Sequence, residues 1–269
     1  MYYIEDYIIT QGEEKKVLKI IISPAKKMEE CQDIFEAESF PQFLNRTKVL
    51  YQTLKSMTET ELQKLFKAND QITRQNYERF QTMDLERAHT PALLSYVGIQ
   101  YQYMAPHLFS NAQWDYVKEH LRILSGFYGI LRPEDRVTLY RLEMQAKLAV
   151  EKSKDLYEFW GKSLLDALME GEEENGVKTI LNLASKEYSK AIEKYLTPDI
   201  RYVTCVFGVL KDGQVKVKAT EAKMARGEMV RLMAENKVQE VEEIRNFEVL
   251  DYRYHAELSD DAAYVFIKE

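Results

Sequence analysis

Between Leu121 and Met144 the chain reads LRILSGFYGILRPEDRVTLYRLEM. A short apolar run, Ile123-Leu124, passes through Ser125-Gly126 into Phe127-Tyr128-Gly129, and two glycines three apart allow backbone N–H groups to approach a ligand closely. Arg122, Arg132, Arg136 and Arg141 surround that turn. Glycine, aromatic and guanidinium groups together suit phosphate or nucleobase recognition, because arginine offers a planar fork of donors and tyrosine a stacking face. The same residues also fit a structural turn whose arginines are solvated or paired with Glu134, Asp135 and Glu143.

Two further groups of cations invite the same question. Lys26 and Lys27 follow Ser23-Pro24 at the end of an apolar run, where α/β sheets bind ligands, or where a solvated loop could equally stand. Lys223, Arg226 and Arg231 lie at helical spacing around Gly227. A glycine inside a helix costs about 1 kcal/mol against alanine, which suggests close approach of another backbone or of a ligand. A lysine crowded by cations has its pKa lowered towards the neutral amine that attacks carbonyls. Lys26 is therefore a candidate nucleophile, with Glu187 or Glu143 as proton carrier; its other reading is a phosphate clamp.

Other chemistries lack their residues. There is no Walker-type phosphate loop, dinucleotide fingerprint, nucleophile elbow or His-Glu-x-x-His helix. His89, His107, His120 and His255 lack metal-ligand spacing, and Cys31 and Cys205 lie far apart, so neither a metal nor a cofactor is expected and the thiols should be reduced. A net charge of −7 excludes a surface that is basic all round, so phosphate could be held only by a local patch such as Lys211 to Arg231. No apolar run approaches the roughly 20 residues of a membrane span. The start, with Tyr2, Glu5 and Asp6, is not that of a signal peptide, and a cytoplasmic protein is expected.

The elements that must position these groups alternate between strand and helix. Leu18–Ile22 reads as a buried strand stopped by Ser23-Pro24. Phe43, Leu44, Thr47, Leu50, Tyr51 and Leu54 keep the spacing of one helical face. Thr58 and Glu61 form a capping box for a second helix, Asn69 caps a third, and Ser110 caps one carrying Trp114 and Val117. Leu93 to Val97 reads as a short strand, Leu156 to Met169 as one amphipathic helix, and 171–176 as a surface loop. Thr179 to Ala184 is a further strand leading through Ser185 into a helix bearing Glu187 and Tyr188. Asp212-Gly213 predicts a hairpin between Tyr202–Leu210 and Val215–Ala219, with Thr220 capping the helix of Lys223. Phe247–Tyr254 and Tyr264–Lys268 predict a closing antiparallel pair. Three apolar strands thus end in Ser23, Ser125 and Ser185. If they are parallel neighbours, Lys26, Tyr128, Glu187 and Arg226 line one concave site. The expected fold is α/β (α+β), a single compact domain with a mixed β-sheet flanked by helices over residues 18–269, preceded by a marginally attached extension of residues 1–17.

Several runs occur together and in order: Ile22-Ser23-Pro24-Ala25-Lys26-Lys27-Met28, Gly98-x-x-Tyr101, Leu124 to Asp135, Tyr140-Arg141-Leu142-Glu143-Met144, Phe159-Trp160-Gly161, Asn182 to Tyr188, and Lys223-Met224-Ala225-Arg226-Gly227. In these the chain resembles the YaaA family of bacterial peroxide-stress proteins from Leu18 to its end. The resemblance implies a cytoplasmic protein that limits oxidative damage by lowering free intracellular iron. It also implies a positively charged cleft, a helix-hairpin-helix-like element and DNA binding, with no enzymatic reaction attached. Here Leu139 replaces a proline usual in the family. The glycine spacing is Gly126-x-x-Gly129 rather than G-x-G, and Pro133 would interrupt a second helix. A glycine-lined phosphate nest is the alternative at that place. In the DNA-binding reading, phosphates meet Lys26, Lys27, Arg132, Arg141, Lys223, Arg226 and Arg231, bases or sugars meet Tyr128, and Ser125, Gly126 and Gly129 offer the turn. The alternatives are an enzyme acting on a nucleobase or nucleotide through Lys26, and a protein that binds a small anion.

Overall fold

A computed structural model describes residues 16–31, 34–171 and 177–268. The extension expected at residues 1–17 lies outside the described residues as far as residue 15, and most of the 171–176 loop lies outside them as well. Lys16 and Val17 belong to the first strand.

The chain opens with β1 (Lys16–Ile22), in which Ile20, Ile21 and Ile22 are all fully buried. A strand apolar on both faces must be covered on both, which places it at the centre of a sheet. After Ser23-Pro24 comes the two-residue β2 (Lys27–Met28). Three helices follow: α1 (Leu44–Ser56), α2 (Glu59–Phe66) and α3 (Asp70–Thr82). In α1 the buried side is Thr47, Leu50, Tyr51 and Leu54, at the three/four spacing of one face. Thr58 and Glu61 complete the reciprocal capping box of α2, and the Asn69 side chain accepts the Ile72 N–H at 2.9 Å to start α3.

The segment 90–97 departs from the expected strand. It forms β3 (Thr90–Pro91), one helical turn α4 (Ala92–Ser95) and β4 (Tyr96–Val97). The N–H groups of Ala92 and Leu93 donate to the carbonyls of Asp135 and Pro133, and the Ser95 hydroxyl donates to the Ala92 carbonyl. The backbone is thereby held in a turn, which a short apolar stretch does not distinguish from a strand. Next come α5 (Ile99–Met104) and α6 (Asn111–His120), the latter with a Ser110–Gln113 capping box.

The organising stretch is β5 (Leu121–Ser125), a turn at 126–128, and β6 (Gly129–Leu131), paired antiparallel. The helix-hairpin-helix-like element expected around Gly126 and Gly129 is therefore corrected to a β-hairpin, and past Pro133 the chain enters β7 (Arg136–Val137) rather than a second helix. The helix expected over Leu156–Met169 is split into α7 (Leu156–Trp160) and α8 (Ser163–Leu168) by Gly161, whose φ of +54° leaves the helical region. Then follow β8 (Val177–Leu183), α9 (Lys186–Glu193), β9 (Ile200–Lys211) and β10 (Gln214–Lys216). Asp212 and Gly213 both have positive φ, 52° and 72°, which is the twist a two-residue hairpin needs. The second arm stops at Lys216, short of the expected Ala219, and Val217 is exposed. The helix α10 (Ala219–Asn236) starts one residue before Thr220, with Lys218 in the capping position and no side-chain cap. Two short strands close the chain, β11 (Arg253–Tyr254) and β12 (Ala263–Ile267). Residues 247–252 of the expected pair instead form a tight turn, with Leu250 and Asp251 at positive φ and Val249 and Tyr252 exchanging backbone hydrogen bonds.

These strands make a mixed eight-stranded sheet in the order β11-β12-β9-β8-β1-β5-β6, with β10 on β9. The central five, β12, β9, β8, β1 and β5, run parallel. Ile22 stands opposite both Ile123 and Leu183, so β5, β1 and β8 are parallel neighbours whose carboxyl ends lie at one edge of the sheet. The helix α5 lies across that edge, its Tyr101 hydroxyl donating to the Ser23 carbonyl (3.0 Å) and its Gln100 amide to the Leu183 carbonyl (3.3 Å). The long α10 packs on α5 through Gly227, where an added Cβ would lie 2.0 Å from the Gln100 carbonyl oxygen. Close approach of another backbone explains this mid-helix glycine.

Candidate functional site

Beyond the carboxyl ends of β1 and β8 the structure has a cavity of about 380 Å³. Its floor is the serine pair: Ser23 Oγ accepts the Ser185 N–H (2.8 Å) and donates to Ser185 Oγ (3.2 Å). Ser185 also precedes α9, which carries Glu187 and Tyr188 to the rim. The loop after β1 contributes Lys26 and Lys27, and the segment after β7 contributes Tyr140, Arg141 and Glu143. From α5 come Gln100 and Tyr101, and from α10 Lys223 and Arg226, one helical turn apart.

Of the four side chains expected to share one concave site, Lys26, Glu187 and Arg226 line this cavity, together with Lys27, Arg141, Glu143 and Lys223. Tyr128 does not. It is 1% exposed, packed edge-on against Phe127 and Tyr140, and its hydroxyl accepts the Thr138 N–H (3.1 Å) while bonding Thr138 Oγ1 (3.0 Å). Burial pushes its phenol up to about 12, so it is a neutral core group. The turn before it is equally closed. Ser125 Oγ accepts the N–H groups of Phe127 (3.2 Å) and Tyr128 (2.9 Å), so the strand's own serine occupies the amides that a phosphate nest would offer. Gly126 is required because a Cβ there would meet the Leu142 carbonyl at 2.5 Å. Gly129, at φ +78°, lies under the Trp160 ring. Main chain and indole press on this turn from both sides, and its large aromatics point inward.

Two arginines also lie elsewhere. Arg132 is exposed on a small depression with Gln42 and Asp135, and its N–H donates to the Asp135 carboxylate. Arg231 is paired along its own helix with Glu228 and Glu235. Helical spacing showed that Arg231 neighbours Lys223 and Arg226 without showing which side each faces.

Within the cavity the charges are organised around Glu143. Its Oε1 accepts from Arg141 Nη2 at 2.7 Å and lies 3.2 Å from Lys26 Nζ. The Lys26 side chain is 65% exposed, so the burial that would activate an amine nucleophile is missing. Glu187 accepts the Gln145 N–H (3.2 Å), and its carboxyl is raised above the usual range by burial first and then by the nearby Glu143 charge, against the pull of Lys26. Lys27 is held by Glu29 at 2.6 Å.

Arg226 differs from all of these. Among the described residues it makes no hydrogen bond or ion pair, and its Nε is buried without a partner. Burial lowers its pKa, and among the described residues the one group acting on its charge is the Cys205 thiol, itself pushed up by burial, so none of their carboxylates balances the guanidinium. Arg141 likewise has a buried Nε with no partner. Two guanidinium groups thus bring spare donors to one cavity, beside Lys223, an arrangement chemically able to pair with an anion.

The tyrosines of this wall, Tyr101, Tyr140 and Tyr188, are residues the sequence reading did not single out as ligand groups. All three have hydroxyls pushed up by burial. Tyr140 joins Ser125 (2.5 Å) and Tyr96 (2.8 Å) in a buried hydrogen-bonded chain. The signal for Tyr101 and Tyr140 lay in the runs Gly98-x-x-Tyr101 and Tyr140-Arg141-Leu142-Glu143. No group of three or more His, Cys, Asp or Glu side chains able to hold a metal is found among the described residues, and none of their helices is long and apolar enough to cross a membrane.

Comparison with known proteins identifies the family. The family model of the peroxide stress protein YaaA matches residues 18–258. The UPF0246 protein of Desulfitobacterium hafniense is 51% identical over 93% of this chain and 98% of its own length. The corresponding protein of Lachnoclostridium phytofermentans is also 51% identical, over 93% and 96%, and that of Pediococcus pentosaceus is 48% identical, over 93% and 98%. A family match over residues 18–258, with relatives about half identical over most of the chain, shows that the chain belongs to the YaaA family of peroxide stress proteins.

Proposed function

We propose that this peroxide stress protein acts by binding nucleic acid, with a phosphate seated in the cavity on Arg226, Lys223 and Arg141, and that lowering of free iron follows from this binding indirectly. The observation that carries the reading is Arg226, a guanidinium drawn into a cavity with its Nε buried and no partner. An uncompensated buried charge is costly, and a phosphate would satisfy it with two parallel hydrogen bonds. The serine pair and the rim tyrosines supply hydroxyls and apolar faces for a sugar or base. Among the cavity's charged groups five are cationic and two acidic, so the site is positive although the chain as a whole carries −7.

The test is DNA binding measured across a salt series with the full chain. Each phosphate contact removed flattens the plot of log affinity against log salt by about 0.9 for duplex DNA and about 0.7 for a single strand. Arg226→Ala is expected to weaken binding of all sequences alike and to flatten the slope by about one such step. Unchanged affinity and slope would remove the reading.

A second reading is favoured by one observation. Glu143 and Glu187 stand in the same cavity, Glu187 raised towards its protonated form, and paired carboxyl groups with different environments can divide acid and base roles. A cavity of this volume also falls within the range of small-molecule sites. On this reading the chain is an enzyme acting on a nucleotide or nucleobase. Borohydride trapping of a Lys26 Schiff base would support the variant with a lysine nucleophile, and failure to trap it would leave Glu143 and Glu187 as the reactive pair.

A further inference from the structure

The cavity closed by Arg226 continues past its own rim. A second depression of about 620 Å³ lies beyond Lys26, Lys27 and Arg141, and these three side chains line both. Its far wall is the helix α3, which presents Gln75, Asn76 and Arg79. Arg79 makes no hydrogen bond or ion pair among the described residues, and burial lowers its pKa, with Glu30 as the charge that acts on it. Asn76 is 2% exposed. It spends its Nδ2 on the Ile72 carbonyl (2.8 Å) and leaves Oδ1 buried with no partner. Two carboxylates, Glu29 and Glu30, also face this depression, but Glu29 is taken by Lys27. The second compartment thus shares features of the first: a partly buried guanidinium with no hydrogen bond among the described residues, here with Glu30 nearby, an unsatisfied polar atom, and a common wall of cations.

We infer that the two compartments form one site for an oligonucleotide segment of at least two nucleotides, with one phosphate on Arg226 and the next on Arg79. Lys26, Lys27 and Arg141 line the passage between them and add positive charge to both, and the Gln75 amide and Asn76 Oδ1 offer hydrogen bonds to the second base. A mononucleotide fills half of such a site. This rests on the nucleic-acid reading given above and adds to it the length of the ligand and the role of α3, an element none of the sequence motifs includes.

The experiment uses the full chain with thymidine monophosphate, the thymidine dinucleotide and a tetranucleotide at one fixed salt concentration. The dinucleotide is expected to bind at least about tenfold tighter than the mononucleotide, equivalent to about one charge-assisted contact. Arg79→Ala should bring dinucleotide affinity down to the mononucleotide level. Gln75→Glu, at an exposed position where folding is not at stake, should do the same by placing a negative charge in the second compartment. Arg226→Ala should weaken every ligand. If the dinucleotide gains nothing over the mononucleotide while Arg226→Ala still weakens both, the site has one compartment and the inference fails with the nucleic-acid reading intact. A dinucleotide advantage that survives both α3 substitutions removes α3 from the site. If no nucleotide binds at all, the nucleic-acid reading fails.

Discussion

Arg226 and Tyr128 lead to opposite experiments. Arg226 lines the cavity with spare donors, so on the proposed reading Arg226→Ala is expected to lose binding. Among the described residues Lys218 pairs with Glu221 on an exposed surface (2.8 Å), and Lys218→Ala should leave the salt slope of DNA binding as it is. Tyr128 lies outside the cavity with its hydroxyl satisfied by Thr138. Tyr128→Phe should therefore leave ligand affinity unchanged while orphaning the Thr138 N–H. Loss of such a hydrogen bond costs about 1–2 kcal/mol, readable as a lowered denaturation midpoint. Glu187 adds a pH dependence with a defined sign. Its pKa is raised in the folded chain, so the native state keeps this proton to higher pH than the unfolded one. Stability contributed by the neutral form is complete below the ordinary glutamate pKa and is lost as pH rises through the raised value. Over the same window the new negative charge opposes an incoming phosphate. Phosphate affinity should fall across that range, and Glu187→Gln, whose carbonyl can still accept from Gln145, should flatten the pH profile of both binding and stability.

At the level of elements, the Gly227 contact is the sharpest test of the fold. Alanine would raise helix propensity by about 1 kcal/mol, but its Cβ would sit 2.0 Å from the Gln100 carbonyl oxygen. Overpacking against main chain costs about 1–3 kcal/mol or more, so Gly227→Ala should lower the melting temperature despite the better helix former. Both readings of this glycine were open in the sequence, and only tertiary contact separates them. Local chemistry was more legible. The caps at Thr58, Asn69 and Ser110 and the Asp212-Gly213 hairpin are decided within a few residues, and the three serine-terminated strands are parallel neighbours as their apolar runs suggested. What the sequence could not show is direction. Ser125 and Tyr128 stand at a strand end just as Ser23 and Lys26 do. The edge hairpin β5–β6 folds its turn back under Trp160 and the 142–144 backbone, and this depends on residues up to 35 positions away. The turn was given a ligand's chemistry when its aromatics and glycines serve packing.

The whole molecule is acidic, and the positive cavity must act within that field. On the nucleic-acid reading, at low ionic strength the net −7 repels DNA at a distance while the cavity attracts it at contact, so binding should be selective for ligands that can enter rather than for any duplex surface. Single-stranded or locally unpaired DNA should therefore outcompete fully paired duplex of equal length, which a competition titration would read directly. The welded contact between α5 and α10 has one more consequence. Gln100 and Tyr101 stand on one of these helices and Lys223 and Arg226 on the other, and the bare Gly227 lets the two pack so closely that they have no room to move towards each other. They form the fixed jaw of a vice. Whatever adjustment the site makes to its ligand falls to the opposite jaw, the loop of Lys26 and the segment of Arg141 and Glu143, whose grip on each other is a pair of ionic contacts that an entering phosphate can replace.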